Sequence, residues 1–330
     1  MRNSTSHSME FVERLECEQM RGDVGDDIGD EIVRCVIADL PVRVVAALTT
    51  GVAREAARRH EAGAAAAVAL GRGLTAGLLL ATLTKDDERV TLQVLGDGPL
   101  GGVTIDASGA GTARAYVKHP AAGRIVDDGG RASLAGAIGQ SGVISVIRDV
   151  GLHENYSGAT SIRSGEIDED VERYLTESEQ IESALACDTT VGADGRVAAA
   201  AGMLVQALPG SEGTIDVDVA RGLFAGGALA RTVAAGVPAS GEALVEAVFA
   251  GRLGQVRVLD RRPVRFLCPC SRPRAGASLA TLGQVDLAAM ILDEGKAEVI
   301  CNFCRARYAF DDKELELIRR QATGAGHQPS

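Results

Sequence analysis

The chain has 330 residues, 46% hydrophobic and 24% charged, the proportions of a soluble globular protein long enough to bury a sizeable core. Its formal net charge of −11 sets it against nucleic acid and anionic membrane surfaces as bulk partners. Aromatics make up only 3% and Trp is absent, so alanine and glycine are expected to let helices pack closely.

Residues 1–30 are acidic and polar, with no apolar stretch of the kind a secretory signal needs, and read as a disordered extension. Glu31–Thr50, rich in Val and Ile and broken by Pro41, predicts one or two strands. Val52–Lys85 predicts helix with a break near Gly63. Within it, Ala62–Leu83 is long enough to span a bilayer, but Arg72 lies at its centre. An Arg there costs about 2.5–3.5 kcal/mol on insertion scales, which Ala and Gly cannot offset. A buried core helix and a cytoplasmic protein are expected.

Beyond Arg89 the texture becomes alternating and turn-rich. "RVTLQVLGDGPLGGVTIDASGAGTARAYVKHP" has the grammar of antiparallel hairpins, and "GDGPLGG" reads as a turn, since strands flank it on both sides where a dinucleotide fingerprint needs a following helix. "GVISVIRDV" and "NYSGATSIRSG" continue the strands. Asp168–Gln180 predicts a helix with an acidic first turn, and "GEIDEDVERY" reads as its solvated N-terminus, not as an acid/base or metal site. His153 and Tyr156 read as part of a turn, because no nucleophile and orienting acid accompany them. "SALACDTTV" and "GRVAAAAGMLVQALPG" predict two further strands. Residues 211–262 predict short amphipathic helices interrupted by glycines. An interior Gly costs roughly 1 kcal/mol relative to Ala, so this segment is expected to be marginally stable.

Four of the seven cysteines lie in two pairs, Cys268 with Cys270 and Cys301 with Cys304. Alternate residues of an extended strand share a face, so the first pair can aim both sulfurs at one point. The second has the spacing of a metal knuckle, and four thiolates suit tetrahedral Zn²⁺. Two short helices are predicted between the pairs, and a polar helix, "DDKELELIRRQA", after them. The five histidines are far away in sequence, and a closed four-sulfur site argues against catalytic zinc. Residues 263–310 hold six Lys/Arg against four Asp/Glu, too balanced for a nucleic-acid module. From the residues alone two readings stand. The zinc is structural, or the site is a redox switch in which thiolates are oxidised, ligands are lost and the module loses what folds it. Cys35 and Cys187 read as buried core thiols, and Cys17 falls in the extension.

The order C-x-C, thirty residues, C-x-x-C, with "FLCPCS", "LATLGQVDLAAMI" and "CNFCRARYAF" around it, resembles the redox-regulated 33 kDa chaperonin (heat-shock protein 33) family. The resemblance runs from about Glu31 to Leu317 and is most specific over Val143–Leu185. It implies a non-enzymatic, ATP-independent holdase of the stress response. One Zn²⁺ would be held in the reduced state by Cys268, Cys270, Cys301 and Cys304. Oxidation would form the disulfides Cys268–Cys270 and Cys301–Cys304, release zinc and unfold the linker. The oxidised homodimer would hold unfolding clients and pass them to ATP-dependent chaperones, with neither nucleic acid nor membrane as partner. One departure is "RPRAG" after "CPCS", where Pro273 is expected to move a helix start by a few residues. The expected architecture is α+β: an extension (1–30), a chaperone domain of antiparallel sheets and packed helices (31–210), a metastable linker (211–262), a zinc module (263–320) and a tail (321–330). Two other classes stay open: an enzyme with a purely structural zinc, and a zinc-dependent adaptor indifferent to oxidants.

Overall fold

A computed structural model describes residues 29–322, apart from 39, 86–87, 129–130, 150–155, 209–213, 251 and 253. The extension, Cys17, His153 and the end of the tail lie outside the described residues. The fold is mixed helix and sheet, as the sequence predicts.

One five-stranded antiparallel sheet is built from β1 (Glu31–Ile37), β2 (Val42–Leu48), β10 (Ser183–Val191), β11 (Val197–Ala207) and β12 (Val256–Pro263), in the order β10-β11-β2-β1-β12. All its strands but the edge strand β12 are apolar on both faces, which is why they read as nearly continuous hydrophobic runs. On one face Ile32, Val45, Ala47, Leu185 and Leu204 enter the main core. On the other, Val33, Val44, Ala46, Met203 and Val205 enter a second core. The strand β12 was not anticipated from sequence: its alternating, Arg-rich pattern sits inside the segment read as helical, and it closes the sheet by pairing with β1.

A second, six-stranded sheet has the order β13-β5-β4-β3-β8-β9, with β3 (Arg89–Gly96), β4 (Val103–Ser108), β5 (Thr112–Val117), β8 (Gly142–Asp149), β9 (Tyr156–Ser161) and the short β13 (Arg265–Phe266). All its pairings are antiparallel except β13 with β5. The "GDGPLGG" stretch is the β3–β4 turn, as expected, with Gly101 at φ +70°. Two short strands, β6 (Val126–Asp128) and β7 (Arg131–Ser133), pair with each other, and the one-turn α3 (Ala135–Ile138) follows them.

Between the sheets lies α2 (Ala64–Ala81), separated from α1 (Thr50–Arg59) by the predicted break. It is the one described helix long and apolar enough to cross a membrane, and 94% of it is buried inside the fold. Its glycines permit close approach to both sheets. A Cβ on Gly73 would meet Ile105 at 2.8 Å, and one on Gly71 would meet Thr189 at 2.4 Å.

Arg72 on α2 is wholly buried and anchors a polar network. It donates to Glu166 (2.7 Å) and Asp188 (2.6 Å). Glu166 also accepts from Ser133 and from the Leu134 amide, and Arg131 pairs with Asp168 at 2.6 Å. Burial raises the Asp168 carboxyl, but Arg131 and Arg72 outweigh it and hold the group below its usual range. The run "GEIDEDVERY" is therefore not solvated as expected. Glu166, Asp168 and Asp170 are buried at the start of α4 (Ile167–Glu177), each with an arginine partner. Glu166 and Asp168 are drawn inside by Arg72 and Arg131, distant in sequence, and Asp170 pairs with Arg173, three residues on.

The second core is covered by α5 (Thr214–Ala225), α6 (Ala228–Ala235) and α7 (Gly241–Phe249), which bury Val217, Leu229, Val233, Leu244 and Phe249 against the sheet. These helices match the predicted amphipathic segments.

Removing one member of a buried ion pair strands the others. Arg72→Met should lower unfolding stability by about 3–5 kcal/mol in urea melts of the reduced protein. A loss below about 1 kcal/mol would show that the network does not stabilise the domain.

Candidate metal centre

The chain reaches the cysteines along β5. The Leu267 amide donates to the Ala113 carbonyl (3.1 Å), extending the β13 pairing to the residue before Cys268. Cys268, Pro269 and Cys270 then run as extended coil. The Ser271 side chain caps α8 (Arg272–Ala280), and Pro273 sits in the first helical turn, where its missing N–H costs nothing. The helix α8 therefore starts at Arg272, directly after the cap. After α9 (Gln284–Asp293), β14 (Lys296–Ile300) and β15 (Arg307–Asp311) form a hairpin whose tip is the C-x-x-C knuckle. The tip is closed by Cys301 N–H to Ala306 O and Arg305 N–H to Cys301 O, both 2.9 Å, with Arg305 at φ +62°. The helix α10 (Asp312–Ala322) completes the module, whose buried apolar core is only Ala275, Leu279, Leu287, Phe310 and Leu315.

All four sulfurs lie within 4.8 Å of one another. The nearest contacts cross between the two motifs, Cys270 to Cys304 at 3.2 Å and Cys268 to Cys301 at 3.7 Å. With Zn–S near 2.3 Å, a tetrahedral thiolate site has S···S edges of roughly 3.8 Å, so the cluster fits zinc. Among the described residues no His or carboxylate joins it. Hydrogen bonds from Cys268, Cys304 and the backbone amides of Cys304 and Phe303 hold Cys301 far below the thiol range. Cys304 is driven up by its bonds with Cys268 and Cys301 and then by burial, and burial first raises Cys270. Like charges this close cannot all ionise unaided, and a divalent cation at their centre supplies what is missing.

A family model described as "Hsp33 protein" matches residues 30–311. The chain belongs to the Hsp33 family. It is 36% identical to the 33 kDa chaperonin of Listeria monocytogenes serotype 4a over 297 residues, 89% of this chain and 100% of that one. It is 38% identical to the 33 kDa chaperonin of Geobacter sulfurreducens over 296 residues, 90% of this chain and 97% of that one. A crystal structure of the 33 kDa chaperonin from Thermotoga maritima superposes with a TM-score of 0.79 at 30% identity, covering 90% of this chain and 99% of that one.

In this Hsp33 chain the knuckle rests against the first part of the molecule through residues that sequence reasoning missed. The Arg114 guanidinium donates to the Cys268 sulfur (3.3 Å), salt-bridges Asp106 (2.7 Å) and stacks 4.0 Å from the Phe303 ring. Tyr116 meets the same ring edge-on at 5.0 Å. Arg59 donates to Cys304 O (3.2 Å), and His60 Nε2 lies 3.0 Å from Phe303 O and 3.2 Å from Ala115 O. Tyr308 Oη is 3.1 Å from the Cys270 sulfur. The available sequence signal was the alternation of β5, which puts Arg114 and Tyr116 on one face and the buried Ala113, Ala115 and Val117 on the other. What that face meets lies some 150 residues on and leaves no local trace.

The two other cysteines among the described residues, Cys35 and Cys187, are buried, as expected. Burial pushes the first up to about 11 and raises the second well above its ordinary value. Tyr156 is exposed at the start of β9.

Proposed function

We propose that this chain is a redox-regulated, ATP-independent holdase of the bacterial cytoplasm that acts by binding and not by chemical turnover. The observation that carries the reading is the convergence of four cysteine sulfurs in a module with a five-residue buried core. Cys268, Cys270, Cys301 and Cys304 are its zinc ligands in the reduced state. Bound zinc supplies a crosslink and keeps the four sulfurs as thiolates, the form oxidants attack. A peroxide then takes two electrons from two thiolates. A disulfide forms, the O–O bond breaks, and two protons complete two molecules of water. Each disulfide withdraws two ligands, so two disulfides, Cys268–Cys270 and Cys301–Cys304, dismantle the site. The close approaches across the motifs are those expected of tetrahedral edges, and both members of each pair also lie within 4.8 Å.

The consequence runs through residues 211–262 as the linker between a chaperone domain (31–210) and the zinc module (263–320). Its helices α5–α7 cover the apolar sheet face of Val33, Val44, Ala46, Met203 and Val205. When they melt, that face becomes the client-binding surface. An exposed apolar face of this kind also favours a homodimer. Clients held there pass later to ATP-dependent chaperones.

A light-scattering assay with a thermally unfolding client tests the reading. The zinc-loaded, reduced protein should leave aggregation nearly unchanged, and the same protein after peroxide at a mildly denaturing temperature should suppress it. Equal behaviour of the two samples would make the zinc structural.

Linker stability should set the threshold. Gly222 lies inside α5 with nothing within 4 Å of where a Cβ would stand. Gly222→Ala should stabilise that helix by about 0.5–1 kcal/mol. Its suppression of aggregation should then require a higher temperature at the same peroxide dose. An unchanged threshold would separate linker melting from activation.

A further inference from the structure

Six contacts hold the knuckle and the chain leading to Cys268 against β5 and the end of α1, one of them the Arg114–Phe303 stack, and they differ in what they touch. Arg59 and His60 bond backbone carbonyls of Cys304 and Phe303. Tyr116 packs on the Phe303 ring, and Arg59 stacks 4.9 Å from Phe266. Oxidation of sulfur changes none of those groups. Arg114 alone reaches a sulfur, that of Cys268.

Asp106 is buried and takes salt bridges from both Arg89 (2.9 Å) and Arg114 (2.7 Å). A Cys268 thiolate gives the Arg114 guanidinium a second anionic acceptor beside Asp106. In a disulfide that sulfur is neutral and a weak acceptor. Arg114 then keeps Asp106 and the Phe303 ring and loses its charged partner at Cys268.

We propose that Arg114 is a charge-sensing latch: it holds the knuckle docked on β5 while the Cys268 sulfur is a thiolate and releases it when that sulfur enters a disulfide. This rests on the redox reading above, and it does not depend on which cysteine Cys268 joins. The electrons go to the peroxide as already balanced, and the latch itself loses no atom. Arg114 acts here as a positioning residue for the docked state. Undocking bares Tyr116, Phe266 and Phe303 and frees β13, which follows the linker's last strand β12, from the six-stranded sheet.

The readout is hydrogen exchange at the amides of Arg265 and Leu267, which donate to Gly111 O (3.0 Å) and Ala113 O (3.1 Å) across the junction. In the reduced, zinc-loaded full chain, Arg114→Met should speed exchange there about tenfold or more, as loss of a hydrogen bond to a charged group implies. Zinc should stay at one per chain, amides of β10 and β11 should stay protected, and Arg114→Lys should restore most of the protection. Peroxide should bring the wild type to the Arg114→Met level. Without any variant, raising salt should speed exchange at the two amides in the reduced protein and not in the oxidised one, because the latch is a partly exposed charge contact. Wild-type protection in reduced Arg114→Met, or salt-independent exchange in the reduced wild type, would overturn the latch. So would loss of zinc from the variant, which would make Arg114 a support of the metal site. A wild type that keeps both zinc and protection under peroxide would instead sink the redox reading beneath it.

Discussion

A β-sheet that is apolar on both faces must be covered on both, and the two faces of the five-stranded sheet are covered in opposite ways. One face meets α2, a helix buried along its whole length and tied down by Arg72 to Glu166 and Asp188. That cover cannot lift without stranding buried charges. The other face meets α5, α6 and α7, which are short and broken at Gly226, Gly227 and Gly236. Inside α5, Gly222 costs about 1 kcal/mol relative to Ala, and the proposed reading takes this cover as the one of lower local stability. In the proposed reading the first core stays closed and the second is the one that opens.

In that reading the cysteine module triggers the opening. Its own buried apolar core is small, and a metal crosslink at the four sulfurs would provide what burial does not. It follows directly on β12, the strand that ends the linker and pairs with β1. Docking of its knuckle on β5 then ties it to the second sheet. The state of four sulfur atoms is in this way connected, through neighbouring residues and without a long relay, to the cover of an apolar sheet face.

Much of this was legible in the sequence, for physical reasons that also explain what was not. The paired strands of Glu31–Leu48, the helix break near Gly63 and the glycine turn between β3 and β4 follow from periodicity and turn chemistry, both local. The four cysteines were legible because tetrahedral thiolate geometry restricts spacing. Long-range pairing was not. Arg72 could be read as an obstacle to membrane insertion, but nothing nearby identifies Glu166 and Asp188 as its partners. For the same reason "GEIDEDVERY" was read as solvated when Glu166 and Asp168 are buried against distant arginines. The strand β12 was hidden because its alternation carries arginines, as an edge strand with one wet face does. Arg114, His60 and Tyr308 owe their roles to what the fold brings against them.

The central claim is that the state of the sulfur cluster governs the fold of the module and of the linker before it. It is tested most directly by a peroxide titration at mildly elevated temperature, with zinc release, free thiols and far-UV circular dichroism followed on one sample. Zinc release, loss of four thiols per chain and loss of helical signal should rise together, and a reductant with added zinc should reverse all three. Zinc release with the helical signal intact would contradict the account, because the crosslink would then be gone while the structure it is said to secure remained.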